Sequence, residues 1–214
     1  MMISLSSVDR NQAFRYMGLH DKPDNKMLEM ADYAEKELLR CIQPRYCWKV
    51  FQKQHLEKIL IGSDIQKHLE NCESVILFCA TLSQKTDACI RFAQVVDVLA
   101  GMMTDAMASA LTEQLCDEAE KEILNNFPDM FSTWRFSPGY GDMPLSVQQD
   151  FLNLINAEKR LGICVSEGGL LIPTKSVTAI IGLSEQPLPK AKKGCAVCNL
   201  SKSCPYRKKG VHCT

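Results

Sequence analysis

The chain has 214 residues, 25 basic and 25 acidic side chains, a hydrophobic share of 46% and a charged share of 23%, the profile of one well-buried globular domain with or without an appendage. The neutral total hides an asymmetry: from Gln186 onward there are seven basic residues and no acidic one, so the preceding body carries 18 basic against 25 acidic residues. An acidic body argues against nucleic-acid binding there, and the basic tail alone is suited to an acidic partner.

No targeting or spanning segment is legible. Met1 to Asn11 carries Ser4, Ser6, Ser7 and Asp9 where a secretory signal needs an apolar core. The apolar stretch from Phe92 to Leu111 is interrupted by Asp97 and Asp105, so it is not a membrane span. The expected location is the cytoplasm.

In chain order, Asp9 caps a short helix that Gly18 ends, and Met27 to Cys41 carries apolar residues at helical spacing. Tyr46 to Phe51 is aromatic and β-branched and is expected to be a strand, with His55 to Ile61 as its hairpin partner. A polar helix follows over Asp64 to Asn71. Ser74 to Ala80, apolar at every side, reads as a central strand. From Asp87 to Leu124 the 3.6-residue period persists, too long for one helix, and Gly101 is the expected break. After a loop to Thr133 and a proline-glycine segment over Ser137 to Pro144, a helix runs from Ser146 to Gly162. Strands are expected over Ile163 to Ser166 and Ser176 to Gly182, then an extended linker from Gln186. The irregular mixture predicts an α+β fold, an antiparallel or mixed sheet with flanking helices. It divides into an N-terminal α/β portion (1–73), a core (74–185) and a linker with a cysteine-rich tail (186–214).

Seven of the eleven cysteines (Cys41, Cys47, Cys72, Cys79, Cys89, Cys116, Cys164) lack ligand spacing and read as small hydrophobes, several in the core. The other four, Cys195, Cys198, Cys204 and Cys213, form a compact thiol set within a lysine-rich tail. They suit tetrahedral zinc or an iron–sulfur cluster equally, with His212 an alternative to Cys213. His20, His55 and His68 have no ligand-spaced partner and read as surface or satisfied histidines. No Ser/His/Asp triad, P-loop or dinucleotide fingerprint is present.

The most unusual stretch runs from Trp134 to Gln149. Pro138-Gly139 is a type II turn pair, Gly141 is a second permissive backbone position, and Pro144 closes the loop before a helix. Arg135 offers a fork for a carboxylate, and Tyr140 offers an aromatic face for a sulfonium or a purine ring. The alternative is a structural turn in which Arg135 only meets a surface carboxylate.

Arg135-Phe-Ser-Pro-Gly-Tyr-Gly141, followed by a proline and a helix, resembles the activation domain of cobalamin-dependent methionine synthase, which carries an Arg-x-x-Pro-Gly-Tyr motif in that position. The alanine-rich run Asp105 to Glu113 is similar to the helix before the motif, and Gly162 to Glu167 with Pro173 to Thr178 is similar to the closing strands. The likeness covers 80–182. It implies binding of S-adenosylmethionine: Arg135 holding the methionine carboxylate, Ser137, Pro138, Gly139, Tyr140 and Gly141 shaping the adenosyl pocket, and Glu113 near the ligand. It also implies a role in reductive remethylation of cobalamin whose cobalt(I) has been oxidised to cobalt(II), with the electron drawn from a reductase. The family has a tyrosine in the last strand where this chain has Ile181, and the cobalamin signature is absent. The resemblance therefore implies a stand-alone module that is not catalytic alone, with cobalamin met only through a partner methionine synthase or corrinoid protein. The alternative from a different class is a zinc or iron–sulfur protein acting in electron transfer or as an interaction module, with a vestigial pocket.

Overall fold

The computed structural model describes residues 1–19 and 22–189. Its centre is β2 (Ser74–Thr81), which hydrogen-bonds on one side to β1 (Arg45–Gln52) and on the other to β6 (Ser176–Ser184), both antiparallel. A two-residue strand, β3 (Phe131–Ser132), extends the sheet beyond β6, giving the order β1-β2-β6-β3. The α+β expectation holds, and every pairing is antiparallel.

An antiparallel sheet commonly wets one face; here both are covered. Ile76, Phe78 and Ala80 of β2 enter one core, and Val75, Leu77 and Cys79 enter another, so alternation along one strand feeds both layers. The first core is filled by α1 (Arg10–Tyr16), α2 (Asn25–Cys41) and the long α5 (Val98–Leu124). The second lies against α6 (Gln148–Ile155) and α7 (Ala157–Leu161), with α3 (Ser63–His68) at its edge. The expected caps are present: the Asp9 carboxylate accepts from Gln12 N, and Asp24 from Met27 N. Among the described residues no helix is long and apolar enough to cross a membrane.

Three boundaries differ from the sequence expectation. Residues 55–61 are not a strand: Lys53–Leu56 is a 3₁₀ turn, and β1 pairs with β2 instead. The buried residues Leu56, Ile59 and Leu60 recur at i, i+3, i+4, a turn period rather than a strand alternation. The long helical region breaks at Asp97, not Gly101. Asp97 is extended, ends α4 (Gln84–Val96), and its carboxylate caps α5 by accepting from Ala100 N at 2.9 Å. Gly101 instead lets the helices approach, since a Cβ there would stand 2.7 Å from the Cα of Gln94. The helix expected over 146–162 divides at Asn156, whose left-handed backbone separates α6 from α7. Of the two strands expected after it, 176–182 lies in β6, while 163–166 is the short β4 (Cys164–Val165), which pairs with β5 (Leu171–Ile172) in a separate hairpin.

The described cysteines are free thiols, and Cys47, Cys72, Cys79 and Cys116 are buried as expected of small hydrophobes. Burial pushes the Cys116 thiol up to about 12.

Candidate functional site

The segment carrying the arginine-proline-glycine motif is tied to the edge of β6. Thr133 N donates to Gly182 O at 2.9 Å, and Phe136 exchanges backbone hydrogen bonds with Ile180 at 2.9 and 2.7 Å. Extended backbone alternates its side chains, so Phe136 enters the second core while Arg135 is directed to α5. The turn then forms as the sequence requires. Tyr140 N donates to Ser137 O at 3.0 Å, and Gly139 has φ +90°, the type II position. Pro138 is buried beneath it, and Tyr140 is 52% exposed, its ring edge-on to Phe136 at 5.9 Å.

The loop is anchored at its far end by Asp142. Its carboxylate accepts from Ser63 N at 2.6 Å, Ser63 Oγ at 2.6 Å and Asp64 N at 3.0 Å, capping α3 from a distant part of the chain. Those bonds, that from Ser63 Oγ foremost, hold the Asp142 carboxyl below its ordinary value. At the other end of α3, His68 Nε2 lies 2.9 Å from Trp134 O, and its ring packs on Trp134 at 4.5 Å. Burial lowers the His68 pKa, partly offset by that backbone bond.

Arg135 is the electrostatic centre. Its Nη1 donates to Glu120 Oε2 at 2.6 Å, and its Nη2 to Asp117 Oδ1 at 2.7 Å and Glu113 Oε2 at 3.5 Å. Burial alone would lower its pKa, but the Asp117 bond and neighbouring charges outweigh this and raise it. The three acids stand at i, i+4 and i+7 on α5 and form one face. Three carboxylates thus converge on one guanidinium.

These groups border a cleft of about 1360 Å³, ample for a nucleoside-sized ligand. Glu113, Asp117 and Glu120 form one wall, His68 with Trp134 another, and Ser137, Pro138 and Tyr140 the motif side. Ser176, Val177 and Thr178 of β6 lie between them, and Leu188 and Pro189 also reach the lining. Thr178 Oγ1 donates to the buried Gln148 Oε1 at 2.7 Å within this floor.

The sequence matches no protein-family model and no curated protein. In three dimensions it is similar to a solved structure, the crystal structure of the MetH reactivation domain bound to AdoHcy. The TM-score is 0.58 at 15% sequence identity, over 95% of this chain and 82% of that one. The chain has the reactivation-domain fold. The expectation drawn from the Arg135 to Gly141 motif is met at the level of the fold.

Of the residues expected at the site, Arg135 and Glu113 are brought together, and Ser137, Pro138 and Tyr140 line the same cleft. Gly139 and Gly141 shape the loop and are outside the lining. Ile181, which replaces the family's tyrosine, is fully buried in the first core and does not reach the cleft. Asp117, Glu120, Trp134 and His68 were not singled out by sequence reasoning. The i, i+4, i+7 spacing from Glu113 is the signal that points to Asp117 and Glu120. His20 and the thiols Cys195, Cys198, Cys204 and Cys213 lie outside the described residues. Among the described residues no cluster of three or more histidine, cysteine or acidic side chains suits a metal.

Proposed function

We propose that this protein binds S-adenosylmethionine in the Arg135 cleft and serves as an accessory module for the reductive remethylation of cobalamin held by a partner methionine synthase or related corrinoid protein. The observation that carries the reading is the Arg135–Tyr140 loop opposite three acids of α5, on a fold shared with a domain solved with AdoHcy. The charges are complementary. A methionine carboxylate can replace Glu113 on the Arg135 fork, and the ammonium and sulfonium suit the acids of α5. Glu113, at 3.5 Å the longest of the three contacts, is the carboxylate most easily turned from Arg135 to an ammonium. The half-exposed face of Tyr140 is available to an adenine ring. The ligand supplies a methyl group for the corrinoid, and a reductase partner supplies the electron; residues of this chain bind and orient the donor.

The test is calorimetric titration of the whole chain with S-adenosylmethionine, beside Arg135→Ala and Tyr140→Ala. Saturable binding, weakened at least tenfold (~1.4 kcal/mol) in both folded variants, supports the reading. Equal affinity in all three proteins, or no binding by any of them with or without a corrinoid partner, overturns it.

A second reading rests on the cysteine tail. Its thiols Cys195, Cys198, Cys204 and Cys213 lie outside the described residues, and their spacing suits a four-thiolate site. An iron–sulfur cluster on that tail would supply an electron carrier for the remethylation, whereas zinc would serve as a staple in a cytoplasmic protein. Metal analysis and the visible spectrum of anaerobically prepared protein distinguish the two, and a metal-free protein overturns both.

A further inference from the structure

The corner where α4 turns into α5 concentrates exposed large hydrophobic side chains of the described residues. Phe92 is 68% exposed, Val95 88%, Val96 69%, Val98 73%, Leu99 38% and Met102 52%. Two sets meet at Asp97: Phe92, Val95 and Val96 at i, i+3, i+4 before it, and Val98, Leu99 and Met102 at i, i+1, i+4 after it. Six such exposures leave on the order of 500 Å² of apolar surface, near the upper end of the roughly 300–600 Å² of a typical monomer's largest patch. A standard interface takes about 800 Å² from each partner, so the corner supplies most of one half.

The corner is preorganised. Valine is stiff at χ1, the Asp97 cap fixes the start of α5, and the close approach of Gly101 to Gln94 locks the two helices together. Little freedom remains to be lost when it is covered. Its charged neighbours are self-complementary: exposed Arg91 stands six residues before exposed Asp97, with the apolar residues between and beyond. In a two-fold contact with the α4 helices antiparallel, Arg91 of each copy meets Asp97 of the other.

We infer that the α4–α5 corner is the interface of a symmetric homodimer. The occupant is a second copy of this chain, selected by an apolar surface near half-interface size with one cation and one anion at its edge. The corner is separated along α5 from the acids at Glu113, Asp117 and Glu120, and dimerisation leaves the Arg135 cleft open to another protein.

Sedimentation equilibrium of the full chain from micromolar to submillimolar concentration tests the inference, beside Val95→Asp and Arg91→Glu. The expected result is a particle of twice the 24.0 kDa chain mass. Val95→Asp raises the dimer dissociation constant at least a hundredfold with an unchanged melting temperature at monomer-forming dilution, and Arg91→Glu raises it about tenfold. Wild-type protein that stays monomeric at the highest concentration overturns the inference, including a monomer that engages a different protein through this corner. A dimer of undiminished affinity in Val95→Asp overturns it as well.

Discussion

The Nη2 atom of Arg135 donates to Asp117 Oδ1 at 2.7 Å, yet Asp117 remains largely exposed at the wall of the cleft. As an exposed partner it contributes little stability, on the order of 0.5 kcal/mol. Its larger effect is on the field, because it supplies a negative charge at the wall of the cleft. S-adenosylmethionine carries a sulfonium that S-adenosylhomocysteine lacks. Asp117→Asn is therefore expected to narrow the preference for the former by about threefold to tenfold. Paired titrations with the two ligands at low and high salt check this, and the wild-type preference should shrink as salt rises.

Asp142 and Gly62 form a tighter constraint than their loop positions suggest. Gly62 has φ +121°, and a Cβ there would stand 2.5 Å from Asp142 Oδ1 and 3.1 Å from the Asp142 backbone carbon. Gly62→Ala is expected to destabilise the protein by about 1–3 kcal/mol, through backbone strain and displacement of the loop anchor. Asp142→Ala leaves the Gly62 backbone relaxed but removes the α3 cap. Both should weaken ligand binding by moving Tyr140, measured by chemical unfolding together with titration.

Much of the fold was legible because its determinants are local. The all-apolar run of β2 identifies a strand covered on both sides, and Asp9 and Asp24 cap the helices as their chemistry requires. The type II turn at Pro138-Gly139 follows from two residues alone. What was not legible depends on distant partners. Asp142 reads as a loop residue until α3 is packed beside it, and His68 as a surface or satisfied histidine until its bond and packing to Trp134 decide for the second. Arg135 reads as a free fork for a ligand, because its engagement by α5 requires the registry of a whole helix against the β6 edge. Asp97 and Gly101 were both visible, but only the tertiary contact with Gln94 tells the cap from the close approach.

That contact sets two effects of Gly101→Ala in opposition. In a helix interior alanine is favoured over glycine by about 1 kcal/mol. Against this, the new Cβ would lie 2.3 Å from Gln94 Cγ and 2.7 Å from Gln94 Cα. The side-chain atom can move, but the backbone atom belongs to α4, so the helices must separate. Overpacking of this kind costs about 1–3 kcal/mol. Net destabilisation of about 0–2 kcal/mol is expected after the propensity gain. Urea unfolding reads it as a lower midpoint, and a rise in the midpoint would show that α4 gives way freely.

His68 supplies the pH dependence. Burial against Trp134 and Phe136 lowers its pKa in the folded protein, while the unfolded chain keeps the ordinary value near 6.5. Between the two values the unfolded state binds more protons than the folded one, so stability rises with pH. The contribution is complete above about 6.5 and is lost as pH falls toward the lowered folded value. The melting temperature is expected to fall on acidification from neutral to about pH 5.5. In His68→Gln, which cannot titrate, that part of the slope disappears. The same change should act on the site, because a charged ring is disfavoured in the packing of His68 against Trp134 and Phe136, which flank Arg135. Ligand affinity in the wild type is then expected to decline over the same interval and to stay level in His68→Gln, with the amide retaining the bond to Trp134 O. Parallel thermal melts and titrations across that range check both halves, and an unchanged slope in the variant would assign the acid sensitivity to other groups.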